Sequence, residues 1–84
     1  MKIILVGHLR KLFDSGEIAL DGSVRDVSDL LIRINQMKKN GTASLNRENT
    51  LLFVNDVEIS ALNDLMTELG ENDIITLVPI THGG

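Results

Sequence analysis

Eighty-four residues make one domain, close to the lower size at which a single apolar core holds a chain folded. At 43% hydrophobic and 24% charged the chain lies outside the disordered regime, and having no Cys it lacks a disulfide framework, a zinc–thiolate site and a cysteine nucleophile. Twelve acidic against eight basic residues, a net charge of −4 with no basic run, argue against direct nucleic-acid binding, which needs clustered Lys and Arg.

Lys2-Ile3-Ile4-Leu5-Val6 is rich in β-branched residues, is closed by Gly7, and reads as a buried first strand. His8 to Gly16 reads as a polar connector whose Leu9, Leu12 and Phe13 lie against the core. Glu17 to Leu20 forms a second strand, with Ile18 and Leu20 on one face, and pairs with the first as a hairpin. Ser23 is placed to cap a helix over 24–39, in which Val24, Val27, Leu30, Leu31, Ile34 and Met37 repeat every three or four residues. Asp26 and Asp29 near its start and Lys38 and Lys39 near its end complement the helix dipole, and Asn40-Gly41 stops it.

Residues 41–50 are polar with one apolar anchor, Leu45, and read as a surface loop. Asn55-Asp56 tolerates the positive φ of a two-residue turn, so the run 51–59 folds as a hairpin pairing Val54 with Val57, Leu52 with Ile59 and Phe53 with Glu58. The face shared by Phe53 and Glu58 is expected to be the wet one, leaving Phe53 exposed. Leu62, Leu65, Met66 and Leu69 suit a short helical turn stopped at Gly70. A last strand runs over 73–78, with Ile75 and Leu77 inward and Ile74, Thr76 and Val78 outward, and Pro79 marks a strand end or edge.

The order β-β-α-β-β-(short helix)-β describes an α+β fold in which one main helix crosses one face of a mixed sheet of about five strands. On the uncovered face Phe53, Ile4, Leu51, Thr76 and Val78 should form one apolar patch, a surface type that marks a partner interface; the alternative is a scatter of unconnected surface hydrophobes. Residues 1–78 form the domain and 79–84 a flexible tail, Pro79-Ile80-Thr81-His82-Gly83-Gly84, with no apolar periodicity and two closing glycines. Frayed ends often carry glycines, so the tail alone does not decide its own meaning.

The longest apolar run, Ile3 to Val6, is far short of a membrane span, and Met1-Lys2 lacks a signal-peptide core, so a cytoplasmic location away from membranes is expected. His8 and His82 without Cys give no metal spacing, and the carboxylates at Asp26, Asp29, Glu58, Asp64, Glu68 and Asp73 read as caps, turns and wet faces, not as an acid–base pair. No constellation of nucleophile, base and cofactor ligands is present, so the chain is expected not to be an enzyme.

The element order, the helix opening Ser-Val-x-x-Val, the hairpin Val-Asn-Asp-Val-Glu at 54–58, the turn Gly-Glu-Asn-Asp-Ile-Ile at 70–75 and the Gly-Gly end together resemble the ubiquitin-like β-grasp superfamily over essentially the whole chain. Within it they are similar to the sulfur-carrier branch: the molybdopterin-synthase small subunit, the thiamin sulfur carrier and the ubiquitin-related modifier of tRNA thiolation. His82-Gly83-Gly84 is most similar to the ubiquitin-related modifier, Pro79 resembles the molybdopterin-synthase small subunit, and archaeal small modifier proteins share both characters.

The resemblance implies that the Gly84 carboxylate is adenylated by an E1-like enzyme that uses ATP, the chain itself binding no cofactor. A sulfurtransferase persulfide then yields a thiocarboxylate, the sulfur donor for tRNA thiolation or molybdopterin synthesis, or a lysine amine takes the acyl group in an isopeptide bond. Gly83 gives clearance, and His82, Thr81 and Pro79 make the tail contacts; six extended residues reach about 20 Å. Since nothing follows Gly84, no processing is expected, and the carrier is expected to act as a monomer. Lys2, Lys11, Lys38 and Lys39 are candidate acceptors for self-conjugation. The alternative is a non-covalent ubiquitin-like interaction module whose glycines are incidental.

Overall fold

The computed structural model describes residues 1–80 and orders its five strands β2-β1-β5-β3-β4 in one mixed sheet. They are β1 (Lys2–Leu5), β2 (Glu17–Ala19), β3 (Thr50–Val54), β4 (Val57–Glu58) and β5 (Ile74–Pro79). β1 pairs antiparallel with β2 and parallel with β5, while β3 pairs antiparallel with both β4 and β5. The last strand is therefore the middle of the sheet.

Side-chain alternation along these strands sends Ile3, Leu5, Leu52, Val54, Ile75 and Leu77 to one face, where all are buried against Val27, Leu30 and Ile34 of the main helix, α2 (Val27–Met37). At roughly 1.5–3 kcal/mol per fully buried side chain this layer is the main force opposing chain entropy. Thr50, the one polar residue at zero exposure among them, satisfies its hydroxyl on Asn49 Oδ1.

The helix is shorter than the apolar period predicts, 27–37 against 24–39, and its cap is Asp26, not Ser23. Asp26 is extended and accepts the Asp29 amide at 2.8 Å. The reason is a competing set of backbone bonds: the Leu69 amide donates to Arg25 O and the Val27 amide to Thr67 O, which holds 25–27 beside 67–69 as a strand-like bridge. Val24 stays buried outside the helix, and Ser23 turns back to Asp21. At the other end Met37 is exposed and both lysines lie beyond the last turn: Lys38 Nζ bonds Thr42, and Lys39 pairs with Asp14 at 2.8 Å.

The connector after β1 is also more ordered than expected. Residues Leu9–Phe13 form a one-turn helix, α1, entered through Gly7 at φ +61° and left through Asp14 in the left-handed region. Leu9 is buried, and Leu12 O accepts from the Lys39 amide, tying α1 to the end of α2. The segment after β4 makes two 3₁₀ turns, Ile59–Ala61 and Asp64–Met66, where one short helical turn was expected. Because the first begins at Ile59, the expected Leu52–Ile59 pair does not form, and Val57, at the tip of the edge strand, is exposed.

Candidate functional site

The face opposite α2 is built by one row of partners running across all five strands: Glu17, Ile4, Thr76, Phe53 and Glu58. Leu51 and Val78 are partners in the next row toward the end of β5. The five expected patch residues thus stand on one face and adjoin one another in register. All are half-buried, Phe53 included, which corrects the expectation that it is exposed: cross-strand neighbours on a twisted sheet cover much of a ring flanked on both sides. The apolar centre carries a carboxylate at either end. Glu17 lies within 3.4 Å of Lys2, and Glu58 is engaged by Arg47 Nη1 at 3.3 Å.

Arg47 is the hub of the β4 end. Its Nε and Nη2 donate to the two Asp64 oxygens at 2.8 and 2.7 Å, a bidentate pair that holds the Asp64 carboxyl below its usual range. Glu58 is held low chiefly by Ser60, first through its hydroxyl and then through its amide, with the Arg47 charge adding to it. Both carboxylates are committed to the scaffold, as their expected roles at caps and turns require. Asp73 is likewise held low, first by the Gly70 amide at 2.7 Å and then by Asn55 Nδ2 at 2.9 Å, locking the turn before β5 to the Asn55-Asp56 hairpin, whose φ values are +50° and +70°.

The second half of the site is the exit of β5. The strand continues one residue beyond the expected 73–78, pairing Pro79 with Thr50, and the Ile80 amide donates to Asn49 O at 2.9 Å. Pro79 and Ile80 are therefore held against β3 and the residue before it. Pro79 ends the ladder on one side only. Val6 donates to Leu77 O, and in a parallel ladder the next rung would run from the amide of residue 79 to Val6 O. Proline has no such amide, and Val6 O instead accepts the Leu9 amide that opens α1. Gly7 lies so close to Pro79 that a Cβ there would stand 3.4 Å from its Cγ.

Thr81, His82, Gly83 and Gly84, on which the expectations for the acyl terminus fall, lie outside the described residues. Around Ile80 the body forms a cleft of about 210 Å³ walled by α1 and residues 42–50, with His8 at its margin. The loop side of this cleft is set by Asn35, which sequence reasoning missed: its Nδ2 donates to Leu45 O at 3.0 Å and its Oδ1 accepts the Leu45 amide at 2.8 Å. The available signal was an Asn inside a helix beside the apolar stripe, a place where that side chain is unfavourable unless it has a partner. Among the candidate acceptor lysines, Lys2, Lys38 and Lys39 have partners, and Lys11 has none among the described residues. No helix of the described residues is long and apolar enough to cross a membrane.

Solved structures share this architecture end to end. The small archaeal modifier protein 1 of Methanosarcina acetivorans superposes with a TM-score of 0.78 at 23% identity, covering 99% of this chain and 94% of its own. Urm1 of Sulfolobus solfataricus superposes at 0.70 with 26% identity, covering 95% and 100%. The chain has the ubiquitin-like β-grasp fold. A chain of the BexX/CysO complex of Amycolatopsis orientalis superposes on this β-grasp fold at 0.77 with 18% identity, covering 99% and 98%, so the same fold is seen there in a complex of two proteins. No protein-family model and no curated protein matches the sequence.

Proposed function

We propose that this β-grasp protein is an acyl carrier of the sulfur-carrier and modifier class, activated at Gly84 by an E1-like adenylating enzyme. The observation that carries the reading is the position of Gly83-Gly84 in the sequence, three and four residues beyond Ile80, which is itself tied to the body, in a fold whose solved likenesses include a modifier protein and Urm1. Four residues span at most about 13 Å, a shorter reach than six would give, so the body must approach the activating enzyme closely.

A carboxylate is a poor electrophile. ATP converts it to an acyl-adenylate with release of pyrophosphate; the terminal sulfur of a persulfide displaces AMP, and a second thiol cleaves the S–S bond to leave a thiocarboxylate. A lysine amine reacting at the activated carbonyl gives an isopeptide bond. The partner supplies the catalytic groups, and this chain supplies the acyl carbon on Gly84 and a rigid body to be recognised. The open face centred on Ile4, Thr76 and Phe53 is the surface we assign to that recognition, and cytoplasmic sulfur transfer to tRNA or to a molybdopterin precursor is the pathway class it fits.

Intact-mass spectrometry of the protein from its own cell tests the reading. A fraction heavier by about 16 Da, one oxygen replaced by sulfur, localised to Gly84, is the expected result, with larger lysine-linked adducts marking conjugation. A population carrying neither form, under conditions in which the cell makes thiolated products, overturns it and leaves a non-covalent interaction module.

A further inference from the structure

If Gly84 is the activated residue, the enzyme closing on its carbonyl must reach to within about 13 Å of Ile80, and therefore bears on the end of the molecule where β5 exits. That end holds the cleft of about 210 Å³, walled by Leu9, Leu12, Ala43, Leu45 and Ile80 with His8 beside them. Apart from His8, its polar lining is already spent. Asn49 bonds Ser44 O and the Asn46 amide, the Thr50 hydroxyl bonds Asn49, and the Thr42 hydroxyl bonds Lys39 O and Lys38 Nζ. A polar ligand would find few free partners there, and the chain's own Thr81-His82-Gly83-Gly84 has no large apolar side chain to fill the space.

We infer that the cleft receives an apolar side chain of the adenylating partner, a Leu, Met or Phe projecting beside the channel that takes the tail. The inference rests on the proposed activation at Gly84. It places a docking point on the α1 side of the tail root, separate from the open sheet face, so that the partner grips the root from two sides before the terminus is engaged.

Ala43 is exposed on the cleft wall, and Ala43→Glu sets a carboxylate there without removing a core side chain. ATP–pyrophosphate exchange by the E1-like adenylating enzyme of the source cell, with the full chain as acyl substrate, is the readout. KM for the chain is expected to rise at least about tenfold with kcat within about twofold and with an unchanged melting temperature, as an unpaired charge in an apolar contact requires. An unchanged KM, or a fall in kcat alone, overturns the docking point while leaving activation at Gly84 standing. Absence of exchange with the unsubstituted chain overturns the activation itself. Should Ala43→Glu melt low, His8→Glu at the margin of the same cleft is read by the same criteria.

Discussion

Replacing Asn35 with alanine is expected to loosen the loop that walls the tail root, at a cost of about 2 kcal/mol. Asn35 Nδ2 donates to Leu31 O and Leu45 O, both at 3.0 Å, and Oδ1 accepts the Leu45 amide at 2.8 Å. Each such bond contributes about 1 kcal/mol net, and the better helix propensity of alanine returns about 0.6 kcal/mol, which leaves the loss near 2 kcal/mol. For a domain of this size that lowers the melting temperature by about 8–16 °C. Urea unfolding measures the stability, and amide exchange at Leu45 reports the local opening. Asn35→Asp keeps the acceptor for the Leu45 amide but sets a carboxylate oxygen against the Leu31 and Leu45 carbonyls, so it should cost at least as much as alanine. A loss below about 0.5 kcal/mol, or unchanged exchange at Leu45, refutes the clasp.

Phe53→Asp is expected to keep the fold at a cost of about 1–2 kcal/mol, because the ring is half-buried, and to raise KM for the adenylating enzyme; an unaltered KM removes the open face from the recognition surface. Gly7→Ala forces a Cβ into φ +61° and to 3.4 Å from Pro79, so thermal unfolding should show a loss of about 1–2 kcal/mol; a neutral result would mean that the tail root does not depend on that turn. Asp73 is held below its ordinary value of 3.8 in the folded state, so its stabilisation is present above that value and is lost as pH falls through the depressed one. Acid unfolding of Asp73→Asn should therefore be less steep below about pH 4 than that of the natural chain, and parallel curves would refute the assignment.

Local patterns made much of this legible. Alternation in β3 and β5 placed Leu52, Ile75 and Leu77 inward and Phe53, Thr76 and Val78 outward, and Asn55-Asp56 announced its turn through two residues that tolerate positive φ. What escaped was decided by groups distant in the chain. The start of α2 depends on Arg25 O and the Val27 amide being taken by residues 67–69. The Asn35 clasp joins positions ten apart, and Arg47 meets Asp64 seventeen residues on. Phe53 read as exposed because its partner Glu58 is charged, whereas its neighbours across the sheet cover much of it. The reach of β5 to Pro79 was hidden because proline reads as a stop, although it lacks only the amide that faces β1.

The central place of β5 bears on how the protein comes into being. β1 and β3 have no ladder between them until Ile74–Pro79 slides in, so a chain still emerging from the ribosome carries two half-made edges for the seconds that translation takes. Closure must join residues some seventy positions apart, a slow, entropy-limited event. Completion of the sheet and the bond from the Ile80 amide to Asn49 O are thus one late step, and a chain that stops short of Ile74 has no central strand to join its two halves.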